Sequence, residues 1–300
     1  MFYFLYCIYI FVVIWYNLLE LGSDIVKITL FSSGSCGNCG IVKLNNKYVM
    51  IDAGLSKKQI DANLELSNIS FADISALYIT HSHVDHIKGL PVILKRTDVK
   101  VYLSNGTYCD LLLTKDKELY KEALEANRLI ILNRLDSFMQ YEVIKFDEYI
   151  VEPIPTFHDA SESVGYIFKE DNKKLVYITD TGYVHNNLFD KIANAEVYVL
   201  ESNHDHTLLM NDPHRPLSLK LRIISDHGHM SNEDSMVLLA KLISDKTRLV
   251  MHAHISQECN LTQIVELTRQ KVFADYGIEP EGVEFVITSP YRTKEYEVWK

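Results

Sequence analysis

The chain has 300 residues, 47% of them hydrophobic, enough apolar side chain for the layered core of one large α/β domain. Acidic residues outnumber basic ones by 40 to 30, and the formal net charge of −10 excludes a strong, broad basic surface; any contact with nucleic acid is confined to local patches. The cysteines, Cys7, Cys36, Cys39, Cys109 and Cys259, are odd in number and too sparse for a disulfide scaffold, so they read as thiols in a reducing, cytoplasmic setting.

Residues 1–22 form an apolar N-terminal extension. Phe2 to Leu19 is almost wholly apolar and aromatic, about the length that spans a bilayer as a helix. No Lys or Arg precedes Lys27 and no small-residue cleavage pattern is present, which argues against a removed signal. Two readings stay open: an uncleaved anchor edged by Trp15 and Tyr16, associating with a membrane through residues 1–20, or a lead translated from a misassigned start. The folded domain is taken as residues 25–300.

From there short β-branched or aromatic runs alternate with helix patterns, without a low-complexity linker or an internal repeat. The pattern predicts strands over Val26–Phe31, Tyr48–Asp52, Ser75–Thr80, Val99–Leu103, Tyr149–Pro153, Leu175–Thr179, Val197–Glu201, Arg248–His252 and Glu284–Thr288. It predicts helices over Lys57–Leu66, His86–Lys95, Thr107–Leu112, Lys117–Glu125, His214–Ile224, Asn232–Ile243 and Leu261–Tyr276, with Ser231 or Asn232 placed to cap the sixth. Mixed sheets covered by helices follow. Cys36 and Cys39 form a C-x-x-C inside a Gly/Ser loop, Ser32 to Gly40, between two strand-like runs. With no second such pair, they read as incidental loop cysteines.

Polar residues recur at the ends of the predicted strands, where a rigid strand holds a side chain in place yet leaves it accessible. Thr80 leads into His81-Ser82-His83-Val84-Asp85-His86, an H-x-H-x-D-H. Histidines two apart on an extended loop project the same way, so His81 and His83 can grip one cation while Asp85 and His86 reach a second. These four cannot complete two sites, since zinc-like ions want about four ligands each and a catalytic ion keeps one position for water. His158 is the natural third histidine of the first ion. Asp180, after the apolar strand ending Ile178-Thr179, can bridge two cations and lessen their repulsion. His252 and His254 compete for the remaining place, and spacing does not choose between them.

At this point the chain resembles the metallo-β-lactamase superfamily, and within it the YycJ/WalJ-type branch, from about Val26 onward. Ser33-Gly34-Ser35-Cys36-Gly37-Asn38 resembles the branch's S-G-S-x-G-N loop, and Ile51-Asp52-Ala53-Gly54-Leu55-Ser56 its second strand end. Glu201-Ser202-Asn203-His204-Asp205, Ser225-Asp226-His227-Gly228-His229-Met230-Ser231-Asn232 and Ala253-His254-Ile255-Ser256-Gln257-Glu258-Cys259-Asn260 resemble E-S-N-H-D, S-D-H-G-H-L-S-N and A-H-L-S-x-E-x-N. The resemblance implies an αββα metallo-β-lactamase sandwich of the α/β class, a dinuclear centre and 5′→3′ DNA exonuclease activity. It implies His81, His83 and His158 on the first metal, Asp85, His86 and His254 on the second, and Asp180 bridging, with His252 in a supporting or packing place. The apolar start and the two loop cysteines depart from the branch's usual pattern.

Two divalent ions, Zn²⁺ or Mn²⁺, held about 3.5–4 Å apart would make a shared water the nucleophile at neutral pH and neutralise charge building on phosphorus. No serine or cysteine nucleophile is needed. Asp85 counts among the catalytic groups as well as the ligands, and His229 is the candidate to contact the phosphate and protonate the leaving oxygen. Ser33, Ser35, Asn38, Ser231 and Asn232 are candidate substrate contacts, the last two through a helix N-terminus. His204 reads equally as an orienting group or a satisfied core histidine. Rival readings are a thioesterase or lactonase on the same ligands, and a metal-free regulatory or binding module.

Overall fold

The computed structural model describes residues 26–136 and 140–298; the apolar extension at residues 1–22 lies outside the described residues. Among the described residues two seven-stranded sheets form. The first contains β1 (Val26–Ser32), β2 (Cys39–Leu44), β3 (Lys47–Ile51), β4 (Ile74–Tyr78), β5 (Lys100–Leu103) and β6 (Leu129–Ile131) in that order. The second runs, from one edge to the other, through β7 (Ile144–Lys145), β8 (Ile150–Pro155), β9 (Val164–Glu170), β10 (Lys173–Ile178), β11 (Val197–Glu201), β12 (Leu249–Ala253) and β13 (Glu284–Ile287). A last strand, β14 (Tyr296–Val298), returns to the first sheet and pairs antiparallel with β1.

Strand alternation explains the layers. On β4, Ala76 and Tyr78 point into a core shared by both sheets, while Leu77 and Ile79 point outward. On β11, Val197 and Val199 enter the shared core, while Tyr198 and Leu200 face the opposite side. Both faces of these strands are apolar because both are covered. Outside the first sheet lie α1 (Lys57–Leu66), α2 (Val84–Ile87), α3 (Leu90–Arg96), α4 (Asn105–Leu111) and α5 (Lys117–Glu125), which bury residues such as Ile60, Ile93 and Tyr120 against it. Outside the second lie α6 (Phe189–Ile192), then α7 (His206–Asn211) and α8 (Leu217–Ile223) near its loops, then α9 (Asn232–Leu242) and α10 (Thr262–Asp275), with Ile192, Leu239 and Phe273 packed on the sheet. This is the expected αββα sandwich. No helix among the described residues is long and apolar enough to cross a membrane.

Some elements differ from expectation for identifiable reasons. The helix predicted over His86–Lys95 breaks into α2 and α3 at Gly89, whose N–H donates to the Ala53 carbonyl at 2.7 Å and where a Cβ would lie 2.4 Å from the Leu55 carbonyl oxygen. The helix predicted from His214 starts at Leu217, because Pro216 occupies the N-cap. β9 was not predicted, although it pairs antiparallel with both β8 and β10. Its Gly165 weakens the strand signal, and it is there because a Cβ would come within 2.7 Å of the Tyr177 carbonyl oxygen. Cys39 opens β2 and is buried, which pushes its thiol well above the usual range, whereas Cys36 is exposed in the preceding turn. Cys36, Cys39, Cys109 and Cys259 are all unpaired.

Leu239 joins α9 to the second sheet and is fully buried. Leu239→Ala is expected to lower unfolding stability by about 2–5 kcal/mol, measured as a fall in the urea midpoint at unchanged slope. A loss well under 1 kcal/mol would show that this helix does not depend on the contact.

Candidate metal centre

Strand ends build the centre. Asp52 follows β3, His81 lies three residues past the end of β4, His158 follows β8, Asp180 follows β10, Glu201 ends β11, and His254 follows β12. At three of them, Asp52, Asp180 and His254, the backbone enters the left-handed region, with φ of 58°, 55° and 53°. L-residues seldom adopt it, and such positions cluster where a fold places a side chain at the cost of local strain.

Backbone contacts clamp the H-x-H-x-D-H loop. Asp85 and His86 give their carbonyls to Asn38 N–H and Ala53 N–H, both at 2.7 Å, and Asn38 O accepts from Gly54 N–H at 2.8 Å. Gly54 is packed so closely that a Cβ would stand 1.7 Å from the Asp85 oxygen. Only a residue without a side chain lets the β3 turn lie against the loop.

Imidazole orientation is set by hydrogen bonds at Nδ1. His86 Nδ1 donates to Asp52 Oδ2 at 2.8 Å, His158 Nδ1 to the Gly228 carbonyl at 2.9 Å, and His254 Nδ1 to Glu201 Oε1 at 2.9 Å. Thr80 Oγ1, which donates to Asp52, accepts from His81 Nδ1 at 3.0 Å. His81, His158 and His254 are left with Nε2 for the centre, the arrangement that fixes tautomer and direction in metal-binding histidines, while His86 Nε2 accepts from Asn38 Nδ2 at 2.9 Å.

The donor atoms converge in overlapping groups: His81, His83 and His158; Asp85, His86 and His254; His81, His86 and Asp180; and Asp180, Glu201, His229 and His254, each with its atoms within 4.8 Å of one another. Asp180 Oδ2 stands 3.4 Å from His86 Nε2, and Asp85 Oδ2 stands 3.5 Å from His86 Nε2 and 3.8 Å from His254 Nε2. Ligands about 2.0–2.2 Å from one tetrahedral ion lie roughly 3.3–3.6 Å apart, so the spacing suits divalent cations. His81 Nε2, Asp180 Oδ2 and His254 Nε2 are buried without a hydrogen-bond partner, a costly condition that a bound cation would relieve. The residues present therefore fit a divalent metal site. No cysteine joins a donor group among the described residues.

Charge is balanced inside the cluster. Burial opposes ionisation of Asp85, yet the imidazoles of His254 and His86 beside it hold its carboxyl well below the usual range. Burial likewise works against charge on His254, but Asp180, Asp85 and Glu201 raise it to about 10. His81, desolvated and surrounded by His86, His158, His83 and His254, is pushed well below the usual histidine range. Without an ion, protons occupy some of the places a cation would take.

His254, and not His252, stands in the donor groups. His252 is buried against Phe285, its rings 6.2 Å apart at 9°, and burial lowers it to about 3, so it packs as a neutral ring. His204 is buried too and lowered to about 4, its backbone bridged to Ser231. The five candidate substrate contacts fare differently. Ser33 Oγ accepts from His254 N–H at 2.8 Å; Asn38 donates to Asp85 and accepts from Gly34 N–H; Ser231 caps α9 through Asp234 N–H; Asn232 is tied to Asn260 and Ser202. These four side chains are hydrogen-bonded into the scaffold around the centre. Ser35 alone is exposed.

Asp52 and Glu201 were not assigned from the sequence. Both are fully buried, and Glu201 Oε1 accepts from His229 Nδ1 at 2.6 Å as well as from His254, while Oε2 accepts from Thr181 N–H at 2.9 Å. The available signal was an acidic residue closing an apolar strand, Ile51-Asp52 and Leu200-Glu201.

Residues 47–255 match the model of the beta-lactamase superfamily domain. The chain is 34% identical over 249 residues to exodeoxyribonuclease YycJ of Bacillus anthracis, covering 83% of this chain and 89% of that one. It is 32% identical over 273 residues to exodeoxyribonuclease WalJ of Streptococcus pneumoniae, covering 88% and 94%. Its fold superposes on the metallo-beta-lactamase fold protein YhfI of Bacillus subtilis with a TM-score of 0.64 at 11% identity, over 91% of this chain and 100% of that one.

Gly54→Ala is expected to leave the far-ultraviolet dichroism of the sandwich intact while sharply reducing the divalent metal retained per chain by elemental analysis. Wild-type metal content in this variant would mean that the clamp on Asp85 does not position the centre.

Proposed function

The chain belongs to the metallo-β-lactamase superfamily of hydrolases, and from that premise we propose that it is a phosphodiesterase acting on nucleic acid, in particular a 5′→3′ DNA exonuclease. The two exodeoxyribonuclease relatives, each matched over most of its length, support the substrate class. The observation that carries the reading is a histidine fixed by a buried carboxylate, His229 on Glu201, beside donor groups that share Asp180. We take residues 25–300 as one hydrolase domain, working in the cytoplasm, which the unpaired thiols favour.

His81, His83 and His158 would hold one ion and Asp85, His86 and His254 the other, with Asp180 available to both. Two divalent ions, Zn²⁺ or Mn²⁺, supply when bound an activated water and neutralisation of the charge developing on phosphorus. The chain's own residues do the rest. Asp52 and the Gly228 carbonyl hold the imidazoles that define where the phosphate sits. Asp85, kept ionised by its neighbours, is placed to accept the proton of the attacking water. The water oxygen bonds to phosphorus, the bond from phosphorus to the leaving nucleoside oxygen breaks, and His229 gives its Nε2 proton to that oxygen. Glu201 keeps the opposite nitrogen, Nδ1, protonated and the ring aimed, so it is a positioning residue. With a net charge of −10, the protein grips the strand near the centre only.

End-labelled DNA and RNA, digested with added Mn²⁺ or Zn²⁺, test this alongside S-lactoylglutathione. Wild type is expected to release nucleotides from the 5′ end of DNA; Asp85→Ala and His86→Ala are expected to be inactive but folded. His229→Ala should lower kcat about 10²–10⁴-fold, and Glu201→Gln should shift the pH profile with a smaller loss. Hydrolysis of the thioester alone would overturn the nuclease reading.

A further inference from the structure

Beside the centre the surface dips into a cavity of about 180 Å³ walled by His158, Asp159, Arg215, Arg222, Gly228 and His229. Drug-sized ligand sites run about 300–1,000 Å³, so this one has room for a small group and its waters and not for a nucleoside. Its position is fixed by the end of α8. His229 N–H donates to the Ile223 carbonyl at 2.8 Å, and a Cβ on Gly228 would meet the Ile223 and Arg222 carbonyl oxygens at 2.1 and 2.3 Å. The glycine therefore allows the His229 turn to lie against the helix end that carries Arg222.

Two guanidinium groups flank the cavity. Arg215 is held by Asp212 and Glu258, at 3.1 and 3.0 Å. Arg222 pairs with Asp159 through Nε and Nη2, and its side chain is 59% exposed, so water already competes for that contact. The other oxygen of Asp159 lies 3.3 Å from His158 Nε2 and 3.7 Å from His83 Nε2. Asp159 thus stands between an arginine and the histidines of the first ion, and two cationic forks line a small concavity in a chain that is acidic as a whole.

We propose that this cavity binds a second phosphate group of the strand, one that is not cleaved, with Arg222 exchanging Asp159 for that phosphate while Arg215 closes the opposite wall. A planar guanidinium recognises phosphate as it does carboxylate, through paired charge-assisted hydrogen bonds. The exchange leaves no charge bare: Arg222 passes from one anion to another, and Asp159 remains beside His83 and His158, where a cation is expected. A phosphate anchored beside the centre sets the strand's register and turns a general phosphodiesterase toward polymer ends. This inference rests on the nuclease reading above.

The test compares wild type, Arg215→Gln and Arg222→Gln on 5′-phosphorylated duplex DNA, on 5′-hydroxyl duplex DNA and on bis(p-nitrophenyl) phosphate, which has a single phosphate. The rise in KM on DNA should exceed any change on the small ester by about tenfold for each variant, the worth of one charge-assisted contact. In an Asp85→Ala background, where strands are bound and not cut, the slope of log Kd against log salt should shrink by ~0.9 per arginine removed, a change that a merely structural role would not produce. A loss confined to 5′-phosphorylated ends identifies the terminal phosphate as the occupant; an equal loss on both ends identifies an internal one. Parallel losses on DNA and the small ester, or an unchanged salt slope, overturn the proposal while leaving the nuclease reading standing. Wild type that cleaves the ester and neither DNA sinks the nuclease reading itself.

Discussion

Burying carboxylates at one edge of a sandwich is tolerable only when each meets a positive partner, and that requirement organises this protein. Asp52, Asp180 and Glu201 are essentially removed from water, and Asp85 is largely so. An isolated ionised carboxylate in such a place costs several kcal/mol or more. Here each faces imidazoles: Asp52 faces His86, Asp180 faces His86 and His254, and Glu201 faces His229 and His254. The cluster is an alternating array of acids and bases, and the strands of both sheets end where they do to assemble it.

The array explains why the scaffold residues around it are small or already committed. Gly54 permits the β3 turn to reach the ligand loop, and Gly228 permits the His229 turn to reach α8. Ser33 and Asn38 sit in loops and Asn232 opens α9. In three dimensions they satisfy backbone and side-chain groups that the strand ends leave open. Polar loop residues beside a buried centre are as often part of its frame as part of its grip.

Much of the layout was legible from local pattern. The predicted α1 and α5 coincide with the observed helices, and the H-x-H-x-D-H loop follows an apolar strand as expected. Donors that lie close in sequence, or that end a recognisable strand, could be gathered from spacing and chemistry. The choice between His252 and His254 could not, because the two stand two apart at the end of one strand pattern, and His252 stays within β12 while the chain turns left-handed at His254, which no periodicity encodes. Asp52 and Glu201 were missed for a related reason. Their role is to orient another residue 34 or 28 positions away, and such partnerships exist only once the sheets are stacked. β9 was missed because a strand buried on both faces and carrying a glycine has no alternation to detect.

One carboxylate, Glu201, holds both His229 and His254 on the same oxygen. The group proposed to hand over a proton and a group proposed to grip a cation therefore draw on a single electron-rich atom, and whatever one withdraws the other loses. Exchanging one cation for a stronger Lewis acid would tighten the pull through His254 and loosen the hold of that oxygen on the His229 ring. Metal identity and the placement of the leaving-group side would then be adjusted together for as long as that oxygen is shared.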